Sequence, residues 1–312
     1  MKKPSNLLIY YGWLNSFNSA QNSWTNEKVA QDLARYGLLV FGDGVQTPSH
    51  GDYANTQIII ARIKVLNPAV KIFGYVSTYQ SYEDFTAKVE DWNDLAVHGI
   101  FMDEGGYDYG TVGTNGRAAF NSKVDYIHSL SNANTCFVNA WKLCHILGTN
   151  NDVSFPDSTW NPDVLDSNLH TTDWALMESF AITSVPAYEG KALWASRGAL
   201  AREAVSSIQL AACSVIDDTD VGGQDKFDFI YVSACMWGLG AVGSSDAYYG
   251  ASSAKSKMWT RPDVEKVGCL YGCEPVIVVD NGDSDVYMRY LEYGLMKLDF
   301  STGAEDSYIG IY

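Results

Sequence analysis

Two runs of this chain turn acidic just where an apolar segment ends: Gly99-Ile100-Phe101-Met102-Asp103-Glu104, and Trp174-Ala175-Leu176-Met177 followed by Glu178. A third, Leu38–Phe41, leads into Gly42-Asp43-Gly44, and a fourth, Cys136–Ala140, carries Asn139 and is followed by Trp141. Paired carboxylates at strand ends are what glycosidic cleavage requires. One donates a proton to the leaving oxygen, and the other acts as nucleophile or activates water. Burial and mutual repulsion drive the proton affinities of such a pair apart and so assign the roles. Asp103 and Glu104 are neighbours on a strand, so both cannot face one pocket equally. A single acid after a strand is usually a helix cap or a solvated loop residue. Two adjacent acids, with another two strands away, call for more than that.

The connections expected on the same rim are rich in aromatics: Tyr79, Tyr107, Tyr109, Trp141, Trp160, Tyr248 and Tyr249. Such rings can stack on sugar faces while their polar tips reach hydroxyls. Other chemistries are poorly served. The five histidines (His50, His98, His128, His145, His170) form no HxH or HExxH pair, so neither a catalytic zinc nor any other metal or cofactor is expected. His98 and His128 fall in amphipathic stretches, where a helix-surface position is the expectation. No GxSxG elbow is available for a serine nucleophile. Asp217-Asp218-Thr219-Asp220 lacks the Gly and Glu of an EF-hand loop and reads as solvated. Most of the six cysteines sit in apolar runs, as small buried thiols do; Cys269 and Cys273 are spaced CxxxC, which leaves a local disulfide open.

Positioning these groups falls to an alternation of short β-rich runs and amphipathic stretches. Strands are expected at 7–13, 38–41, 70–76, 99–102, 136–140, 174–177, 210–216 and 239–243. Helices are expected at about 26–36 (capped by Asn26), 53–66 (stopped by Asn67-Pro68), 82–98, 117–130, 193–209 and 226–238. Strand–helix alternation implies parallel βαβ units, and runs that are apolar throughout, such as Ile72-Phe73-Gly74-Tyr75-Val76, fit strands buried on both faces. About eight such units predict an α/β fold, a (β/α)8 TIM barrel, whose active site lies at the C-terminal strand ends. No GxGxxG or GxxxxGK[ST] loop follows the first strand, which argues against nucleotide binding. The tail, with its Asn281-Gly282-Asp283 turn and alternating Leu295–Phe300, reads as a small strand-rich appendage. The expected division is a barrel over 1–268 and a C-terminal extension over 269–312 packed on it.

The 312 residues are 46% hydrophobic, ample for one large core. A formal charge of −16 argues against nucleic acid, which needs a basic face, and tolerates a cationic polymer. The apolar run after Pro4 is too short for a signal peptide, and no run reaches the roughly 18 residues of a membrane span. The expectation is a protein without a membrane partner, made in the cytoplasm without a visible signal peptide, and associated with a virion or acting outside the cell.

The motifs also resemble a known group. Ile72–Tyr79 is similar to the Gly-Tyr-Val-x-Thr-x-Tyr strand of the spherulin-4-like glycoside hydrolases, and Gly99–Glu104 to their Gly-Ile-Phe-hydrophobic-Asp-Glu strand. The roughly twenty residues between them also match, and Met177-Glu178-Ser179-Phe180 is similar in place to the strand carrying their second catalytic glutamate. Related endo-galactosaminidase barrels share this layout. The resemblance spans about residues 7–180 and implies a (β/α)8 barrel acting on amino-sugar polymers, often partly deacetylated. It implies Asp103 as nucleophile or stabiliser and Glu178 as general acid/base, with Glu104 binding substrate or tuning the pair; Asp43, Tyr75, Tyr79, Tyr107, Asn139, Trp141 and Tyr248 are the residues expected toward substrate. Tyr287–Gly294 resembles a Tyr-x-Arg-x-Phe-x-x-Gly element of other hydrolase-like barrels. The chain departs from the group in lacking an export signal, which suits a phage virion enzyme. The expected function is thus hydrolysis of a polysaccharide by two carboxylates. The alternative is a non-catalytic carbohydrate-binding or structural protein on the same scaffold; the distance between the Asp103 and Glu178 carboxyls discriminates the two.

Overall fold

The structure, a computed structural model, describes residues 3–17, 25–106, 116–140, 142–148, 160–184, 187–216, 222–245, 258–261, 277–280, 285–291, 294–300 and 307–310. Eight parallel strands close into a barrel in chain order: β1 (Ser5–Tyr10), β2 (Leu38–Phe41), β3 (Lys71–Ser77), β4 (Gly99–Asp103), β5 (Cys136–Asn139), β6 (Trp174–Glu178), β7 (Gln209–Val215) and β8 (Ala241–Ser245). The seam pairs Ser5 with Ala241 and Leu7 with Gly243. Helices α1 (Asn26–Leu33), α2 (Tyr53–Leu66), α3 (Tyr82–Asp94), α4 (Arg117–His128), α5 (Leu143–Leu147), α6 (Lys191–Ala204) and α7 (Gly223–Trp237) fill the crossovers. This is the (β/α)8 fold.

Local chemistry sets the helix limits. Thr25, not Asn26, caps α1, its hydroxyl accepting from Lys28 N at 3.2 Å. The α2 helix ends at Leu66 because Asn67, preceding Pro68, is extended (φ −137°, ψ 87°). The α3 helix stops four residues short of the sequence expectation, and α4 two. His98 therefore lies in the loop before β4, and His128 is the last residue of α4, turned toward the buried Asp173. Neither is the helix-surface histidine expected. Helix α5 was not foreseen; its five residues are too few to show a period.

Two layers of apolar packing result. Leu7, Ile9, Val40, Phe73, Phe101 and Phe137 fill the barrel interior, while the alternating residues, Leu8, Leu39, Ile72, Ile100 and Met102 among them, pack outward against the helices. The tail forms an antiparallel sheet in the order β12 (Ser307–Gly310), β11 (Gly294–Asp299), β10 (Asp285–Leu291) and β9 (Ile277–Asp280). Arg289 of β10 is buried and donates to the Met236 carbonyl at 2.9 Å and to that of Cys235, satisfying the C-terminal end of α7. Tyr287 meets Trp194 edge-on, with ring centroids 4.8 Å apart.

Candidate active site

Along each strand, interior residues recur every second position, so the apolar layer dictates what stands above it. Two steps past Ile9, Phe73, Phe101, Phe137 and Leu176, toward the C-terminal strand ends, come Tyr11, Tyr75, Asp103, Asn139 and Glu178. These five side chains form the polar top of the barrel interior, the face where barrel enzymes work.

Asn139 is the hub. Its Nδ2 donates to Asp103 Oδ1 and to Glu178 Oε2, each at 2.9 Å. The two N–H bonds of an amide diverge by about 120°, so ideal hydrogen bonds of this length would place those two carboxyl oxygens about 5 Å apart. Asn139 Oδ1 is buried and takes no hydrogen bond among the described residues. Flipping the amide would press that oxygen against two acceptor oxygens and lose both hydrogen bonds, which fixes the orientation. Tyr75 donates its phenol proton to Asp103 Oδ2 at 2.9 Å, so both Asp103 oxygens accept. Burial, and then the Asp103 charge, drive the Tyr75 phenol well above its ordinary pKa and keep it a donor. Tyr11 behaves alike: burial first, then Asp103, Tyr75, Cys213 and Glu178, push its pKa well up. Its ring meets Tyr75 edge-on at 5.4 Å. Glu178 Oε1 has no hydrogen-bond partner among the described residues.

Asp103 and Glu104 part company at the strand end. Asp103 keeps the strand alternation and points inward, whereas Glu104 turns into the left-handed region (φ 59°) and its carboxylate takes the Ser77 hydroxyl proton. Ser179, just after Glu178, is also left-handed (φ 52°). Such backbone costs a non-glycine residue on the order of 1–2 kcal/mol and persists only where the surroundings impose it. They do so here. Thr78 holds the Asp103 carbonyl through its N–H and its hydroxyl, both at 2.9 Å, and the hydroxyl lies 2.6 Å from the Glu104 carbonyl. Behind it, the buried Lys123 donates to the Thr78 carbonyl at 2.5 Å. Under β6, Arg197 donates to the carbonyls of Glu178 (2.6 Å) and Ser179 (2.8 Å) and to buried Glu189 (2.8 Å). Glu189 in turn accepts from Ala181 N at 3.1 Å.

Other expected site residues fall elsewhere. Asp43 stands at the rim, held by Lys88 at 2.5 Å and Gln46 at 2.9 Å, so it does not join the Asp103–Glu178 pair. Tyr79 is 57% exposed on the rim, free of packing that would hide its ring face. Trp160 is a correction: it is 4% exposed and donates to the His145 carbonyl at 3.1 Å, a core residue and no sugar platform. Tyr107, Tyr109, Trp141, Tyr248 and Tyr249 lie outside the described residues, as do Asp217–Asp220, Cys269 and Cys273. Tyr11, Ser77, Thr78, Lys123, Glu189 and Arg197 were not singled out from the sequence. The two-residue step from Leu7 and Ile9 would have found Tyr11; the others act across long separations that no local pattern records.

No protein-family model matches the chain, and no curated protein is similar to it in sequence. Among solved structures it is similar to Amy13B of Eubacterium rectale, at 8% identity with a TM-score of 0.53, over 96% of this chain and 86% of that one. An endo-1,4-β-mannanase from Rhizomucor miehei aligns at 10% identity and TM-score 0.41, over 78% of this chain and 85% of that one. N-acetylneuraminate lyase from Mycoplasma synoviae aligns at 8% identity and TM-score 0.40, over 80% and 71%. At such identities the first likeness establishes the barrel fold alone, a scaffold that hosts many chemistries.

Proposed function

We propose that this protein is a retaining glycoside hydrolase acting on a polysaccharide, with amino-sugar polymers as the substrate class. The observation that carries the reading is the Asn139 amide held between the Asp103 and Glu178 carboxylates. A separation of about 5 Å is the retaining geometry, whereas inverting enzymes need about 6.5–9.5 Å to admit a water between the groups.

Asp103, with both oxygens engaged as acceptors, is the nucleophile. It attacks the anomeric carbon while Glu178 gives its proton to the glycosidic oxygen; the C–O bond breaks, the leaving chain departs as an alcohol, and a glycosyl ester on Asp103 remains. Glu178, now a carboxylate, takes a proton from water. That water attacks the same carbon, releases Asp103 and restores the original anomeric configuration. Asn139 holds one Glu178 oxygen and leaves Oε1 for the proton transfers. Glu104, locked to Ser77, stiffens the strand end. The −16 charge and the resemblance of the Gly74-Tyr75-Val76 and Gly99–Glu104 strands to amino-sugar hydrolases support a cationic, partly deacetylated polymer.

A panel of amino-sugar and capsular polysaccharides, read by new reducing ends, tests the reading with Asp103→Asn and Glu178→Gln as controls. Cleavage by the native chain that both substitutions abolish is expected. Equal activity in the variants, or binding of a polymer with no cleavage, would overturn it; the second result would indicate a carbohydrate-binding protein.

A further inference from the structure

At the opposite end of the barrel from Asp103, three potential metal ligands of different chemistry converge. His128 closes α4, Cys136 opens β5, and Asp173 immediately precedes β6. One ligand atom from each lies within 4.8 Å of the other two. His128 Nε2 is 3.0 Å from Asp173 Oδ2 and 3.2 Å from Oδ1, and 3.8 Å from Cys136 Sγ. In tetrahedral coordination with ordinary zinc bond lengths, ligand atoms sit about 3.4 Å (N to O) and about 3.6 Å (N to S) apart. Adjustments of a few tenths of an ångström would therefore close the three around one ion.

We propose that His128, Cys136 and Asp173 form a zinc site at the base of the barrel. Four further observations support it. The Asp173 carboxylate is fully buried beside the His128 ring, whose Nε2 faces both of its oxygens. Both its oxygens are oriented by main-chain donors, Cys136 N at 2.8 Å and His170 N at 2.6 Å, the outer hydrogen bonding that fixes a ligating carboxylate. A cavity of about 380 Å³, lined by His128, His170, His98, Lys71 and Thr135, opens at the same end. Of the three ligands, His128 alone lines it. His170 stacks on His128 with centroids 4.1 Å apart and 15° between the planes, holding the ligand ring in place. A set of one imidazole, one thiolate and one carboxylate favours zinc over calcium or magnesium, which take oxygen donors. The ion would tie α4 to the starts of β5 and β6, far from the sugar chemistry and independent of it.

Cobalt(II) is the probe. Full-length protein freed of metal with a chelator and titrated with Co²⁺ should develop a thiolate-to-cobalt charge-transfer band with one-to-one stoichiometry, and added Zn²⁺ should abolish it. Zn²⁺ should also raise the Tm of the native chain. Cys136→Ser should lose the band and most of the Tm shift while keeping a native circular dichroism spectrum, and His128→Gln should lower the Co²⁺ affinity at least tenfold. A band that survives Cys136→Ser, or a folded native chain that shows neither band nor Tm shift, would overturn the proposal.

Discussion

Arg197 grips the main chain of Glu178. Its guanidinium donates to the Glu178 carbonyl at 2.6 Å and, one residue on, to that of Ser179 at 2.8 Å, while its other partner is the buried Glu189. The general acid of the proposed reaction is thus aimed by its backbone as well as by Asn139. Arg197→Met should lower kcat by about 10–100-fold with KM little changed, since orientation and not binding is lost. It should also destabilise the fold by about 3–5 kcal/mol, because it strands a buried carboxylate. Adding Glu189→Gln should recover part of that stability but not the rate. Denaturant unfolding of the two variants, beside steady-state kinetics, checks both statements.

Asn139 is the second prediction. Asn139→Ala removes the donor shared by the two carboxyls and should reduce kcat/KM by about 10²–10³-fold. Asn139→Asp places a third carboxylate between two others and should be the more damaging change, although its size is conserved. If Asn139→Asp matched the native rate, the bridge would have no part in catalysis.

Retention gives a third. Proton NMR of the first product formed should show the anomer of the scissile bond, with mutarotation following. Early appearance of the opposite anomer would mean that water, and not Asp103, attacks the sugar.

Gly74 offers a test of packing. A Cβ there would lie 2.1 Å from Trp92 Cδ2, and Trp92 donates its indole N–H to the Tyr75 carbonyl at 3.1 Å. Gly74→Ala should therefore cost about 1–3 kcal/mol through overpacking and displace Tyr75 from Asp103. A fall in both Tm and kcat is expected, and a variant with native stability would contradict the close approach.

Lys123 provides a pH signature. Burial lowers its pKa from 10.5 to about 8, so between those values the unfolded chain carries the extra proton. Stability then rises with pH from about 8 toward 10, because the cost of burying the ammonium is in full force below pH 8 and is relieved above it. Lys123→Met should flatten that rise in a plot of unfolding free energy against pH. An identical slope in the two proteins would show that Lys123 does not titrate as stated.

Much of this architecture could be read from the residues. Strands such as Leu38–Phe41 are apolar on both faces, and Asn67-Pro68 ends α2 as steric rules require. Asp103, Glu178 and Asn139 were legible because a two-residue period carries the interior layer of Phe101, Phe137 and Leu176 straight to them. The partition of Asp103 from Glu104 was legible only as a conflict; its resolution depends on the left-handed turn that Thr78 imposes from the neighbouring strand. Trp160 reads as a rim aromatic because, in a polar connection, the sequence looks the same whether its indole faces solvent or the His145 carbonyl. Arg197, Glu189 and Lys123 escaped notice for another reason: each meets a main-chain group, and carbonyls have no letter in a sequence.

The seam between β1 and β8, where Gly243 abuts the Leu7 carbonyl so closely that a Cβ would come within 2.2 Å of it, has a consequence for biosynthesis. The first barrel strand to be made pairs on one side with β2, yet its other edge waits for the last barrel strand to be translated. Until then the nascent chain carries an open parallel sheet with hydrogen-bonding edges at both ends, the kind of surface that invites association with another chain. Closure of the barrel is thus the most non-local pairing in it, the kind that forms slowly, and crowding at Gly243 should lengthen the time newly made chains stay open to aggregation.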